Sequence, residues 1–224
     1  MSDSEDLQRY KNNTKTKLTK PTMTDFNQVQ KILSEKYPYP VFLLSPYISP
    51  TPYFTEQECT TLIDYCKTLV FDYQKNGMDK VVTELINAKC AVSSITNQSL
   101  YERLRKLIID VNQSCWSFHL YDFGEPLKFM EYSEEYNGFF GIHTDFNPET
   151  ITKFRKLTVV IQLTDEDCYE GGDLIIQCYE KEVVASRKKG TVIIFPSFLL
   201  HRITPVIKGV RHSMVSFVYG PPFC

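Results

Sequence analysis

Two segments of the chain carry side chains suited to binding a metal ion. His143 and Asp145 stand two positions apart in GFFGIHTDF, and in an extended chain such positions point to the same face. His201 ends the segment TVIIFPSFLLH, which is typical of a strand and whose Pro196 predicts a kink or an edge position. Two imidazoles and a carboxylate occupy one face of an octahedron and leave other positions open, which suits Fe(II) and oxygen chemistry. A zinc hydrolase could use the same three residues.

Arg211 adds a cation near this predicted metal site. It follows His201 by ten residues, and the turn-like ITPVIKG between them predicts that the two lie on neighbouring antiparallel strands. Alternation along VRHSMVSFVY places Arg211 and Ser213 on one face and His212 on the other. An inward-facing guanidinium needs an anionic partner, and no acidic residue lies on that strand. A ligand carboxylate would satisfy it, with the Ser213 hydroxyl as a further donor, so the site favours a 2-oxo acid whose keto-acid end binds the metal.

Helices are predicted in the first half of the chain. Capping boxes beginning at Thr55 and Ser99 precede two amphipathic helices. A shorter helix is predicted at Thr24–Lys36, and the polar residues 1–22 predict a flexible tail. Because the two longer helices each have one apolar face, we expect them to pack against a larger element.

Short strands separated by turn residues fill the second half of the chain. The predicted strands are Leu127–Tyr132, Thr158–Leu163, Asp173–Cys178, Glu182–Ala185, Thr191–Phe195 and Ser213–Tyr219. Strands at this spacing are typical of a sandwich, jelly roll or barrel rather than a parallel sheet. Neither a Walker A loop nor a G-x-G-x-x-G motif occurs, which argues against nucleotide-binding folds. We expect a mainly β fold with flanking helices, in which residues 23–224 form a single domain.

The composition limits the partners and the compartment. A net charge of −2 gives no overall attraction to nucleic acid or to an anionic membrane. The seven cysteines are an odd number and form no C-x-x-C pair, which indicates reduced, intracellular usage. The N-terminus lacks the apolar core of a secretory signal, and no apolar run is long enough to cross a bilayer. These features predict a cytoplasmic protein with neither a nucleic-acid nor a membrane partner.

The H-x-D pair, the distal histidine and the arginine resemble the prolyl 4-hydroxylase-like branch of the 2-oxoglutarate/Fe(II)-dependent dioxygenases. The resemblance covers about residues 125–223, chiefly from FRKLTVVIQLTDEDCYEGGDLIIQ to KKGTVIIFPSFLLHRITPVIKGVRHSMVSFVYGPPF. It implies a double-stranded β-helix (jelly-roll) core at 125–224. Residues 23–124 would then supply N-terminal amphipathic helices and outer strands that support this core.

The resemblance also implies a role for each site residue. The iron would be held by His143, Asp145 and His201. Arg211 would bind the distal carboxylate of 2-oxoglutarate, and Tyr132 would line the same co-substrate pocket. The implied reaction consumes O2 and 2-oxoglutarate, gives succinate and CO2, and hydroxylates an unactivated C–H bond, with ascorbate as a reductant.

Several alternatives stay open at this point. The hydroxylated group could be a prolyl or other side chain of a peptide or protein, or a free amino acid or small metabolite. A zinc-dependent hydrolase would leave Arg211 without a role, and a non-catalytic binding module would have no use for the full ligand set. A nucleic-acid demethylase of the same superfamily is disfavoured, because Phe217 stands where that branch has a second arginine.

Overall fold

The computed structural model describes residues 45–69, 71–75, 85–92 and 98–223. The tail predicted at 1–22 and the helix predicted at Thr24–Lys36 lie outside the described residues. The domain boundaries placed at residues 22 and 125 stay predictions. Within the described ranges, no helix is both long and apolar enough to span a bilayer.

The described residues contain two α-helices, both before the strand β4 (Lys128–Ser133): α1 is Glu56–Lys67 and α2 is Gln98–Cys115. The predicted capping box of α1 is confirmed. The Thr55 hydroxyl accepts a hydrogen bond from the backbone N–H of Glu58, and the Glu58 carboxylate accepts one from the N–H of Thr55. The first turn of α1 therefore begins with two of its free N–H groups satisfied.

The cap predicted at Ser99 is wrong. The helix already includes Gln98, so Ser99 lies inside the first turn. In a capping box, the Glu102 carboxylate would accept a hydrogen bond from the backbone N–H of Ser99. It instead accepts one of 2.9 Å from the Gln98 side chain. The pattern S-x-x-E therefore marked the start of the helix correctly to within two residues, but not the capping residue.

Twelve strands occur in the described residues, and every pairing between them is antiparallel. In chain order they are β1 Tyr47–Ile48, β2 Asp72–Lys75, β3 Ile86–Val92, β4 Lys128–Ser133, β5 Phe139–His143, β6 Arg155–Gln162, β7 Tyr169–Gly171, β8 Leu174–Cys178, β9 Lys181–Val184, β10 Val192–Pro196, β11 His201–Ile203 and β12 Val206–Tyr219. The six strands predicted from the sequence are all present, with their ends shifted. The other six were not predicted as strands.

The strands form one curled antiparallel sheet. Ten of them follow the order β1-β10-β6-β12-β4-β3-β5-β11-β8-β9, while β2 pairs with β3 and β7 pairs with β12. Three short 3-10 helices lie between strands, at Glu134–Tyr136, Ile151–Phe154 and Glu166–Cys168. The predicted mainly β fold with flanking helices is confirmed.

The core consists of two clusters on opposite faces of the sheet. Phe129 belongs to the cluster that includes buried residues of α1 and α2, such as Cys66 and Leu104. Its neighbour Met130 belongs to the second cluster, which contains no residue of either helix. Successive side chains of a strand point to opposite faces, so the helices cover one face and the curled sheet encloses the other. The candidate site lies on the enclosed face.

His201 and Arg211 do not lie on neighbouring strands, so that prediction is wrong. β11 pairs with β5 and β8, whereas β12 pairs with β4, β6 and β7. The predicted turn is mostly strand: β12 begins at Val206, whose N–H donates to the carbonyl of Gly138. Gly209, expected in the turn, is instead a left-handed residue (φ 75°) within β12. The chain therefore crosses to the other half of the sheet instead of folding back as a hairpin.

Pro196 is paired on one side only within the described residues, with Leu157 of β6, because β1 pairs only with Ile193 and Ile194; this agrees with the predicted edge position. β10 lies between β1 and β6, and Pro196 is its last residue. The carbonyl of Pro196 accepts a hydrogen bond from the N–H of Leu199, which closes a turn. His201 consequently begins a new strand, β11, and does not end the preceding one.

Candidate active site

The side chains of His143, Asp145 and His201 meet at the junction of two paired strands. His143 is the last residue of β5, His201 is the first of β11, and the two are direct antiparallel partners. One ligand atom from each of the three residues lies within 4.8 Å of the others. Asp145 Oδ1 is 3.6 Å from His143 Nε2, and Asp145 Oδ2 is 3.3 Å from His201 Nε2. The tertiary structure thus brings together three residues from distant parts of the chain.

Each of the two histidines is oriented by the carbonyl group two residues before it in the chain. Nδ1 of His143 lies 2.8 Å from the Gly141 carbonyl oxygen, and Nδ1 of His201 lies 2.9 Å from that of Leu199. Because a carbonyl only accepts, each Nδ1 carries the hydrogen and each neutral ring keeps its Nε2 lone pair. Two imidazole lone pairs and a carboxylate then face one point. A divalent cation fits this donor set, and Fe(II) suits its composition.

Asp145 is buried among groups that favour its charged form. Burial alone would raise the pKa of Asp145, but in the metal-free protein protonation of His201 and His143, whose Nε2 atoms face this carboxylate, lowers it well below its usual value. The Thr158 hydroxyl donates a hydrogen bond of 2.7 Å to Asp145 Oδ2. The Asp145 carbonyl accepts one of 3.1 Å from Arg155 Nη1. The carboxylate is therefore ionised and fixed in direction.

The three clustered side chains face a cavity of about 410 Å³ that Arg211, Ser213 and Tyr132 also line. This volume lies within the range of small-molecule sites. Tyr132 on β4 is the register partner of Arg211 on β12. All six predicted site residues therefore line one cavity, although Arg211 is several strands away from His201 in the sheet.

Arg211 is 2% exposed, and its Nη1 donates a hydrogen bond of 3.2 Å to Ser213 Oγ. Its guanidinium carbon lies 5.5 Å from the centroid of the Tyr132 ring. In the part of the chain that the structure describes, no carboxylate pairs with this guanidinium. A buried unpaired cation is costly, so the cavity is adapted to receive an anion at this end.

Gly172 provides space for this arginine. A Cβ at Gly172 would lie 3.2 Å from Arg211 Cδ, and the residue has a φ of 64°. The neighbouring Gly171 also has a positive φ, 72°, so the two glycines form a turn that other residues rarely adopt. The absence of a side chain at Gly172 therefore leaves room for the Arg211 side chain.

Tyr132 is buried, and burial raises the pKa of its phenol although the charge of Arg211 opposes the shift. The phenol is neutral at ordinary pH and keeps a hydrogen to donate. Ser213 differs from the expectation in one respect, because its hydroxyl oxygen accepts a hydrogen bond from Arg211. Its own hydrogen is then left for a second acceptor.

The sequence did not single out Thr158, Arg155 or Lys128, which line the same cavity. β6 is buried on both faces from Lys156 onward, so its apolar run gave no alternation from which to choose an inward face. The available signal was chemical: Thr158 interrupts an otherwise apolar run that follows the H-x-D motif. Lys128 was not recognised as a candidate site residue, because it stands near the start of a predicted strand and exposed lysines are common there.

Comparison with known proteins agrees with this geometry. Residues 127–219 match the family described as the 2OG-Fe(II) oxygenase superfamily. The matched range contains all six predicted site residues. It ends at the last residue of β12 and so covers the sheet from β4 onward.

Among curated relatives, a PKHD-type hydroxylase of Synechococcus sp. (strain CC9605) is 39% identical over 80 residues, which is 35% of this chain and 36% of that protein. A PKHD-type hydroxylase of Prochlorococcus marinus (strain AS9601) is 31% identical over 125 residues, which is 54% of this chain and 55% of that protein. The chain thus matches between about a third and just over half of the length of these relatives.

Among solved structures, a Pseudomonas putida prolyl-4-hydroxylase aligns with a TM-score of 0.61 at 15% identity, over 79% of this chain and 92% of that one. A prolyl hydroxylase from Trichoplax adhaerens, solved with a peptide fragment of the hypoxia inducible factor oxygen degradation domain, also gives 0.61 at 15% identity, over 89% of this chain and 94% of that one. At this identity the likeness establishes the jelly-roll fold. Residues 127–219 are therefore similar to the 2OG-Fe(II) oxygenase superfamily, and the fold is similar to that of solved prolyl hydroxylases.

Proposed function

We propose that this protein is an Fe(II)- and 2-oxoglutarate-dependent dioxygenase that hydroxylates an unactivated C–H bond. The observation that carries the proposal is the pairing of two features in one cavity. A histidine-aspartate-histidine cluster faces the cavity, and the buried guanidinium of Arg211 lines it without a carboxylate partner among the described residues. The first feature fits a ferrous ion, and the second fits the distal carboxylate of a keto diacid.

In this proposal His143, Asp145 and His201 hold the iron by their Nε2 and carboxylate oxygen atoms. Arg211 pairs with the distal carboxylate of 2-oxoglutarate, and the hydroxyl groups of Tyr132 and Ser213 donate to the same end. When bound, the iron supplies oxidative chemistry in which O2 and 2-oxoglutarate become succinate, CO2 and a hydroxyl group on the substrate. The protein orients the reactants and limits the access of water.

The proposed substrate is a prolyl or other side chain of a peptide, with a free amino acid or small metabolite as the alternative. The Trichoplax structure, whose protein is bound to a peptide, supports the first choice. The half-open end of the cavity, where the Lys128 side chain is 30% exposed, is compatible with either.

The test is turnover under defined conditions. We expect succinate formation that requires both Fe(II) and 2-oxoglutarate, with ascorbate present to keep the iron reduced. A screen of proline-containing peptides and free amino acids for a mass gain of one oxygen would identify the substrate class. Hydrolysis of a substrate by the Zn(II)-loaded protein, without any use of 2-oxoglutarate, would contradict the proposal.

A further inference from the structure

The cavity has a second charged end, distinct from the Arg211 end. Lys128 on β4 faces the cavity and is the register partner of Val215 on β12. Tyr132 and its partner Arg211 lie four residues along the same strand pair, which corresponds to about 13 Å. This backbone separation is about twice the length of a five-carbon diacid, so Lys128 and Arg211 are rooted at different ends of the cavity. We call the end formed by Lys128, Arg155 and Phe217 the outer end.

Two cations share one carboxylate at the outer end. Glu125 accepts a hydrogen bond of 2.7 Å from Lys128 Nζ on Oε2 and another of 2.7 Å from Arg155 Nε on Oε1. Glu125 is ionised, because burial, which raises its pKa, is outweighed by its hydrogen bonds and the charges of Lys128 and Arg155. This group of three side chains therefore has one unbalanced positive charge.

Lys128 holds the donors that remain available. Arg155 uses its third nitrogen on the carbonyl of Asp145, so each nitrogen of its guanidinium has a partner. Lys128 has three N–H groups, and within the described residues the hydrogen bond to Glu125 is its single recorded one. Its Nζ also lies 5.3 Å from the centroid of the Phe217 ring, over the cavity wall. Two ammonium hydrogens are thus free for a ligand.

The charges at the inner end already balance in the proposed complex. A ferrous ion with Asp145, together with Arg211 and the two carboxylates of 2-oxoglutarate, sums to no net charge. The positive charge at the outer end then has no counterpart unless the substrate supplies it. A cavity wall of apolar side chains such as Val215 strengthens the attraction between a cation and its partner.

We propose that Lys128 determines specificity by binding a carboxylate of the substrate. The substrate class is therefore one with an acidic group next to the hydroxylated residue: an aspartate or glutamate neighbour in a peptide, or the α-carboxylate of a free amino acid. This inference rests on the proposed function and adds the charge of its substrate.

The experiment uses two matched libraries with the Fe(II)-loaded protein and 2-oxoglutarate. One consists of acetylated, amidated peptides with a varied central residue flanked by either Asp or Asn. The other pairs free L-amino acids with their amides. We expect kcat/KM for the anionic member of each productive pair to exceed that of its neutral match by about 10-fold to 100-fold, since the pair is charge-assisted. The library that responds distinguishes a peptide acid from an α-carboxylate.

The Lys128→Gln variant should lose this preference mainly through KM for the anionic substrate, with KM for 2-oxoglutarate unchanged. Lys128→Arg should restore most of it. Lys208→Gln is the matched control, because Lys208 lies on β12 with a side chain 72% exposed and does not line the cavity. Binding of the preferred anionic compound to the Mn(II)-loaded protein without O2 should weaken in Lys128→Gln to the same extent.

Three outcomes would overturn the inference while leaving the proposed function intact. They are equal turnover of anionic and neutral partners, an unchanged preference in Lys128→Gln, and consumption of 2-oxoglutarate with no anionic library member hydroxylated. Failure of the wild-type protein to bind or convert 2-oxoglutarate at all would instead refute the proposed function, and this inference with it.

Discussion

Removal of the Thr158 hydroxyl is predicted to weaken metal binding without unfolding the protein. Thr158 lies on β6, is 1% exposed, and donates its hydrogen at 2.7 Å to Oδ2 of Asp145. Because this hydrogen bond goes to a predicted metal ligand, its effect on metal binding acts through the direction and basicity of the Asp145 carboxylate. Valine at this position keeps the branched shape and removes the donor.

The expected size follows from the energy of one hydrogen bond to a charged acceptor. Such a bond contributes about 1.5–3 kcal/mol when its loss leaves the acceptor unsatisfied. Since 1.4 kcal/mol is tenfold in affinity, the metal dissociation constant should rise by about 10-fold to 100-fold in Thr158→Val. Ser197 Oγ lies 3.1 Å from the Thr158 hydroxyl, so partial replacement by Ser197 places the effect toward the lower part of this range.

The metal dissociation constant is measured by isothermal titration calorimetry, in which Mn(II) or Fe(II) is titrated into the metal-free protein without oxygen. Thr158→Ser keeps the hydroxyl and serves as the matched control, and it should bind metal within about threefold of wild type. Circular dichroism of each metal-free variant verifies the fold. A folded Thr158→Val protein with wild-type metal affinity would show that the hydroxyl does not position Asp145.

Three other predictions address the site and its surroundings. Asp145→Ala and His143→Ala should each abolish metal-dependent succinate production, measured by NMR, in proteins whose thermal unfolding without metal shows a folded state. Arg211→Met should weaken 2-oxoglutarate binding by about 100-fold or more, because a desolvated charge pair is lost. The free energy of unfolding of the ligand-free variant should not fall, since the substitution removes a buried unpaired cation. The pKa of Glu131 is lowered to about 2 by hydrogen bonds from His212 and Lys89, so its stabilising effect is complete above about pH 4.5 and is lost as the pH falls toward 2. Urea unfolding at pH 7 should therefore give Glu131→Gln a free energy of unfolding lower than that of wild type by on the order of 3 kcal/mol. This difference should vanish near pH 2. An equal difference in the free energy of unfolding at both pH values would contradict the prediction.

Local patterns in the sequence predicted much of the secondary structure. The capping box at Thr55 depends only on contacts within four residues, so it could be predicted without knowledge of the fold. The alternation along β12 correctly separated Arg211 and Ser213 from His212, which packs against Phe129 on the opposite face. The short strands β5 and β11 carry little periodicity of their own, which explains why their bounds were not predicted, although His201 was expected to lie on a strand.

The route of the chain between His201 and Arg211 was not predictable in the same way. The Thr, Pro, Lys and Gly residues between His201 and Arg211 are compatible with a hairpin turn. However, β12 pairs with β4, β6 and β7, and these long-range pairings cannot be predicted from the connecting residues. Gly209 is needed inside the strand because its φ is positive and a Cβ there would lie 2.2 Å from the Cys168 carbonyl oxygen. Long-range pairing therefore decided what the local signal left open.

The order and types of His143, Asp145, His201 and Arg211 led to the prediction of a metal site, favouring Fe(II), beside an arginine that binds a carboxylate, because ligand chemistry depends on residue identity. Only the tertiary structure placed Thr158 against Asp145 and set Lys128 and Arg155 around one Glu125 carboxylate. Lys128 and Glu125 are three residues apart, whereas Thr158 is 13 residues from Asp145 and Arg155 is 30 residues from Glu125. The contacts of Thr158 and Arg155 depend on the curl of the sheet, and neither periodicity nor motif spacing encodes that curvature.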